Sequence, residues 1–211
     1  MARQNKEAIS VPEGAERILL HACCAPCSSA IVEWMLAHGL HPVVYYCNPN
    51  IYPLAEYTKR KEESKRHAVS LGLTWIDDDW AHAEWQACVR GLESEPERGG
   101  RCLRCFTMRL TATARKAVEL GCDTFATTLA SSRWKSLEQI EQAGRAAEAA
   151  VGGQARFWAQ NWRKGGLQQR RIELLREHGF YNQQYCGCEY SQRQSVEDTE
   201  TVALGQQPLQ G

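Results

Sequence analysis

The chain has 211 residues, 43% of them hydrophobic, and its 25 basic and 25 acidic residues leave a formal net charge of zero. That length and apolar content suit one compact domain with its own core, and the charge balance excludes a uniformly basic coat, so any nucleic-acid contact must come from a local patch. The opening MARQNKEAISVPEGAER has no apolar signal region and no stretch approaches a membrane span, so a cytoplasmic protein with no membrane partner is expected.

Residues 1–16 are expected to be a flexible N-terminal segment. Arg17 to Ala22 (RILLHA) is a short apolar run that suits a strand. A cysteine loop follows, and Ser28 stands where an N-cap belongs, ahead of Ile31, Val32, Met35 and Leu36 at helical spacing, with Gly39 as the stop. Pro42 to Cys47 (PVVYYC) predicts a second strand, Glu56 to Leu71 a charged helix ended by Gly72, and Leu73 to Ile76 (LTWI) a third strand. Asp77-Asp78-Asp79 is expected to end that strand and cap a helix starting near Trp80, with a mobile loop at Gly99-Gly100. Cys105 to Leu120 predicts a helix stopping at Gly121, and Asp123 to Leu129 (DTFATTL) a fourth strand. Strands alternating with helices indicate an α/β fold, a parallel sheet flanked by helices, in one domain over 17–193, with a helical C-terminal part carrying the last cysteines. The polar stretch 194–211 is expected to be a disordered tail.

Of the ten cysteines, six form three tight groups: Cys23-Cys24, the C-x-x-C of Cys102 and Cys105, and the C-x-C of Cys186 and Cys188. In a reducing cytosol such groups are ligands or catalytic thiols more often than structural disulfides. The first group lies in the loop His21-Ala22-Cys23-Cys24-Ala25-Pro26-Cys27-Ser28, which lacks the glycines that would close around a phosphate, so thiols stand where many α/β proteins bind nucleotide. Cys23, Cys24 and Asn48 should lie at the carboxyl ends of strands, where open sheets bind ligands. Cys27 is a seventh sulfur at the head of a helix, whose dipole should lower its pKa. Four thiolates from a pair and a C-x-x-C could hold zinc or anchor an iron-sulfur cluster. The iron-sulfur reading is favoured, because adjacent side chains diverge and a structural zinc leaves the C-x-C unexplained. A C-x-C can close a strained, easily reduced disulfide, which suits a redox pair. Cys47, Cys88 and Cys122 are expected to be small buried hydrophobes.

The strings LLHACCAPCS, RCLRCFTMRL, TTLASSRWKS and QYCGCEYS, in that order, resemble the epoxyqueuosine reductases of the QueH type, from about Arg17 to Arg193. The resemblance implies a fold related to the adenine nucleotide alpha hydrolase (HUP-like) group and reduction of the epoxide of epoxyqueuosine, at the wobble position of tRNA, to queuosine. It assigns a 4Fe-4S cluster to Cys23, Cys24, Cys102 and Cys105, and a redox-active, disulfide-forming pair to Cys186 and Cys188. A second adjacent iron ion is left open, with Cys27, Cys186 and Cys188 as its candidate ligands. The partners implied are a tRNA with a queuosine-type wobble base and an electron donor that the sequence does not identify.

An anticodon loop is read by aromatics that stack on splayed bases and by cations that hold phosphates. Phe157, Trp158 and Trp162 with Arg163 and Lys164 offer both, the plain alternative being a buried aromatic strand with a solvated basic end. From Arg156 to Arg176 the only acidic residue is Glu173, which adds Arg170 and Arg171, and Arg133 and Lys135 after the fourth strand are similar candidates. His21 and Tyr185 lie near the motifs and could donate protons, or be packed residues at element ends. Two other functions fit parts of the pattern. An iron-sulfur tRNA-modifying enzyme of another type, such as a thiolase, should carry a glycine-rich ATP loop, and a zinc-bound tRNA-binding module gives the C-x-C no role.

Overall fold

The computed structural model describes residues 9–78 and 80–191, so the expected tail 194–211, Asp79 and residues 1–8 lie outside the described residues. Residues 9–16 run against the domain: Ile9 and Ala15 pack on the core, and the Glu13 carbonyl accepts a hydrogen bond from Arg156.

Five parallel strands form one sheet: β1 (Ile18–His21), β2 (Val43–Tyr46), β3 (Trp75–Asp77), β4 (Thr124–Thr127) and β5 (Arg156–Phe157), in the order β3-β2-β1-β4-β5. This is the expected α/β arrangement, a parallel sheet flanked by helices. Between the strands run α1 (Ala25–Ala37), α2 (Leu54–Ser70), α3 (His82–Cys88), α4 (Gly100–Glu119) and α5 (Leu137–Ala150), and α6 (Leu167–Glu177) follows β5. Helix α1 packs on α2 and α6, while α4 packs on α5, so helices cover both faces of the sheet. The central strands are therefore continuous apolar runs without polar alternation. All four residues of β1 and of β4 are buried, with Leu19 set between Val43 and Phe125. Burying Leu19 and Leu20 contributes about 1.5–3 kcal/mol each.

Helix α5 presses on β5 at Gly144, where an added Cβ would fall 2.2 Å from the Phe157 ring. Only a residue without a side chain allows that approach.

Several expected boundaries move, each for a local reason. Helix α1 begins at Ala25 with Cys24 as its N-cap, and Ser28 is not the cap: its hydroxyl donates to the Cys24 carbonyl from inside the first turn. Pro26 explains the early start, since its fixed φ suits the first turn and its missing N–H is not needed there. The aspartate run does end β3, but α3 is capped by Ala81 and not by an aspartate. Asp77 pairs with Lys61 instead, and the Tyr45 hydroxyl donates to Asp78. Gly99 caps α4 and Gly100 opens it, so both C-x-x-C cysteines ride on the helix. After β4, residues Thr128–Ser131 turn into a 3-10 helix where an extended strand was expected.

The chain leaves β1 toward β2 and leaves β4 toward β5 on the other side. That reversal opens a crevice at the carboxyl ends of β1 and β4, the place where open α/β sheets bind ligands.

Candidate metal centre

The early start of α1 builds the first part of the site. With Cys24 as N-cap and Cys27 in the first turn, both sulfurs fall at the helix N-terminus, and the Cys23 sulfur lies 3.8 Å from that of Cys24. The sulfurs of Cys23, Cys24 and Cys27 all lie within 4.8 Å of one another, and all three residues are buried. Three thiols so close cannot ionise together. The Cys23 thiol is pushed well below its usual range by hydrogen bonds from Cys24 and Cys27, helped by Lys135 and Thr128, while Cys24 is pushed well above it by its bonds with Cys23 and Cys27. Cys27 is raised to about 11, against the lowering expected from the helix dipole, because the Cys23 sulfur it bonds favours its proton. Thr128, just after β4, fixes Cys23 from the far side of the crevice, its hydroxyl accepting from the Cys23 N–H at 3.1 Å.

Cys102 and Cys105 enter from α4, three residues apart and hence on one helix face. Burial raises Cys102 to about 11 and raises Cys105 as well, and the charge of Cys186 acts on both. Cys105 and Cys188 share a buried cluster with Trp85 and Val89. The C-x-C lies in the irregular stretch after α6, just ahead of a helical turn at 189–191. Arg60 on α2 holds it, donating to the carbonyls of Cys186 and Tyr185 at 3.2 and 3.3 Å, and the Tyr52 N–H donates to the Gly187 carbonyl at 2.8 Å. From the other side, Gln86 on α3 donates to Glu189 at 2.9 Å.

Two cations complete the neighbourhood. Arg109 continues the Cys102 and Cys105 face of α4, is 2% exposed, and donates to Asn48 and to the Cys47 carbonyl. Burial works against its charge, but the sulfurs of Cys105, Cys23, Cys186 and Cys47 hold that charge in place. Lys135 is held charged in the same way, burial opposing and Cys186, Cys23 and Cys27 prevailing. Lys135 thus links the first and last cysteine groups electrostatically. Gln183 reaches the triad as well, its amide 3.2 Å from the Cys24 sulfur. The sequence reading missed Arg109 and Gln183, although the seven-residue step from Cys102 to Arg109 and the closeness of Gln183 to the C-x-C were visible signals.

Residues 18–194 match the family described as epoxyqueuosine reductase QueH. The epoxyqueuosine reductase QueH of Haemophilus influenzae is 45% identical over 191 residues, spanning 90% of this chain and 77% of that protein. The chain belongs to the QueH family. The QueH proteins of Histophilus somni and Acinetobacter baylyi are 46% and 42% identical, each matched over 88% of this chain and over 76% and 84% of their own lengths. A solved chain from Methanocaldococcus jannaschii, described as a predicted subunit of tRNA methyltransferase, has a TM-score of 0.51 at 11% identity and covers 82% of this chain and 99% of its own. That likeness is one of fold alone.

For a QueH-type centre the donor chemistry is suitable: buried, converging thiols select soft metals and iron-sulfur clusters. The tight triad joins Cys27 to Cys23 and Cys24, the loop in which the sequence places it. All ten cysteines are free thiols, so the expected Cys186–Cys188 disulfide is not formed here. His21 is a packed residue. Its Nδ1 is 2.8 Å from the Thr127 hydroxyl, and its Nε2 is 3.0 Å from the Cys47 carbonyl and 3.4 Å from the Arg109 guanidinium, so both ring nitrogens are occupied by protein partners. Burial, then Arg109, lowers its pKa to about 3, so the imidazole is neutral in the fold and holds no imidazolium proton to donate. Tyr185 donates to the Tyr52 carbonyl at 2.6 Å, and burial raises it to about 12.

The cationic candidates divide. Arg133 and Lys135 line an open cavity of about 580 Å³ together with Arg98, Leu103 and Arg163. Arg163 also donates to the backbone carbonyls of Ser132 and Lys135, which makes it part of the loop's scaffold. Arg170 is bonded by Glu33, Glu173 and Glu177, Lys164 is exposed and Arg171 is half-buried. Phe157, Trp158 and Trp162 are 5%, 5% and 1% exposed, with Trp34 edge-on to Trp162, so they are core and do not present faces to a base. Cys47 and Cys122 are buried in the core as expected, and Cys88 is half-buried at the end of α3. No helix among the described residues is long and apolar enough to cross a membrane.

Proposed function

We propose that this chain reduces the epoxide of epoxyqueuosine in tRNA to queuosine, with a 4Fe-4S cluster held by Cys23, Cys24, Cys102 and Cys105. The observation that supports this reading is the buried Cys23, Cys24 and Cys27 triad in a QueH family member, with Arg109 feeling the charge of Cys23, Cys105 and Cys186 and Lys135 that of Cys186, Cys23 and Cys27. Bound metal supplies single electrons and, as a Lewis acid, stabilises the alkoxide that develops as the C–O bond breaks. The chain's own residues supply the rest. Arg109 and Lys135 set positive charge beside the sulfurs, which favours electron uptake there. Cys186 and Cys188 as thiols balance the reaction: epoxide and dithiol become alkene, water and disulfide. An external donor of unidentified nature then restores the dithiol, which suits a reducing cytosol. A second iron ion, if bound, would take Cys27, Cys186 and Cys188 as its ligands and would then compete with the disulfide for the last two sulfurs.

For the tRNA, Arg133 and Lys135 are the favoured contacts, because they line an open cavity together with Arg98, whose N–H meets the Cys102 sulfur. Arg163 lines the same cavity, Lys164 and Arg171 are further candidates, and Arg170 adds least, since three glutamates offset its charge.

Anaerobic purification followed by absorption spectroscopy and by iron and sulfide analysis tests the cluster. Broad absorption near ~400 nm with iron and sulfide is expected, and a colourless zinc protein sinks the cluster proposal. Reduced protein should convert epoxyqueuosine in tRNA to queuosine. Full turnover by Cys186→Ser removes the C-x-C from the reaction.

A further inference from the structure

The loop Arg133-Trp134-Lys135 has a feature that neither the core nor the sulfur site explains. Trp134 is 63% exposed, the most open of the large apolar side chains among the described residues. Its backbone is nevertheless tied on both sides. Arg98 donates to the carbonyls of Trp134 and Arg133 at 2.9 and 3.0 Å, and Arg163 donates to that of Lys135 at 2.7 Å. Arg98 itself takes a left-handed backbone, φ 67, which a non-glycine residue adopts at a cost of about 1–3 kcal/mol. Its N–H meets the Cys102 sulfur at 3.3 Å, so the same residue connects the loop to the C-x-x-C. An indole held out in water by a strained, charged scaffold is not a loosely placed surface residue.

The surroundings state what would cover it. The Arg133 guanidinium lies 4.7 Å from the centre of the Trp134 ring, and the indole is 63% exposed with that cation in place. The cavity beside the loop is lined by Arg98, Arg133, Lys135 and Arg163 against the single carboxylate of Glu138. An aromatic face beside a concentration of cations matches an unpaired nucleotide, whose base stacks and whose phosphate is anionic. A protein partner with an apolar anchor would not need the excess of positive charge.

We propose that Trp134 is the stacking platform for an unpaired base of the anticodon loop, with Arg133 and Lys135 holding that nucleotide's phosphate in the adjoining cavity. The proposal rests on the tRNA reading above and adds the subsite that orients the loop toward the sulfurs.

The test measures binding of a fluorescein-labelled anticodon stem-loop RNA to anaerobically purified protein by anisotropy, beside a fully paired RNA of equal length. Trp134→Ala is expected to weaken stem-loop binding about 5- to 150-fold, the range for losing one base stack, and to leave duplex binding unchanged. Trp134→Tyr should keep most of the affinity, while Trp134→Leu should be as weak as the alanine variant. Unchanged stem-loop affinity in Trp134→Ala, an equal loss on duplex, or full rescue by leucine overturns the proposal. Thermal melting of each variant separates loss of the platform from loss of the fold: a variant that melts as the parent does and still binds normally counts against stacking. Turnover of epoxyqueuosine RNA by the unaltered protein is read separately. Its failure removes the activity reading and leaves the Trp134 result standing, whereas normal turnover with indifferent Trp134 variants removes the platform alone.

Discussion

Replacing Gly187 by alanine strains the single residue between Cys186 and Cys188. Gly187 has φ +117, and an added Cβ would meet Arg60 Nη1 at 3.0 Å and Ile51 Cγ1 at 3.1 Å. Such a backbone conformation costs a side-chain-bearing residue about 1–3 kcal/mol. Against this stand the Tyr52 bond to the Gly187 carbonyl and the two Arg60 bonds to the carbonyls of Cys186 and Tyr185. Each is worth about 0.5–3 kcal/mol, so strain and attachment are of similar size and the loop should open locally before the domain unfolds. An opening equilibrium shifted by 1–3 kcal/mol changes about 5- to 150-fold. Cys188 is 7% exposed, and Cys122, 2% exposed in the main core, serves as an internal reference. In reduced protein, mass-spectrometric alkylation rates should rise by that factor at Cys188 and stay constant at Cys122. Equal Cys188 rates in the two proteins would refute the strain argument, and a parallel rise at Cys122 would mean global loss of structure in place of local opening.

Gly144→Ala should destabilise the domain: helix propensity gains about 1 kcal/mol, but overpacking against the Phe157 ring costs up to about 3, and differential scanning calorimetry should register a midpoint lower by roughly 2–8 °C. An unchanged or higher midpoint contradicts the close approach of α5 to β5. His67, lowered to about 4 by burial and then by His178, is neutral in the fold and takes up a proton on unfolding. Because its folded pKa lies below the unfolded value of about 6.5, its contribution is fully present above that value and declines as the pH falls toward 4, by on the order of 2–3 kcal/mol. His67→Phe, which keeps the edge-on packing against Phe180, should flatten the urea-midpoint profile over that range, and an equally steep profile in the variant refutes the assignment.

Much of the fold was legible because local sequence carries it. The runs RILLHA and PVVYYC lack polar alternation, as strands covered on both faces must, and they became β1 and β2. The helix-ending glycines 39, 72 and 121 follow α1, α2 and α4 as expected. Boundaries were less legible where two signals competed. Ser28 is a good cap in isolation, but Pro26 starts the helix earlier, and that shift alone brings Cys24 and Cys27 to one helix end. The aromatics of β5 and the segment after it could serve a core or a base equally well, and only the packing of Trp158 and Trp162 beside Trp34 decided for the core.

The sequence by itself determined the parallel α/β architecture, the three cysteine groups and the glycine-free loop after the first strand, because each is written in residues close together along the chain. The tertiary structure decided what those groups meet. It made a triad of Cys23, Cys24 and Cys27, buried Arg109 and set the half-buried Lys135 under the influence of sulfurs from distant segments, enclosed His21 in the core and left Trp134 open beside a cationic cavity. These outcomes depend on which strand ends and helix faces are brought together across the crevice, and on the charges that burial there forces to compensate one another.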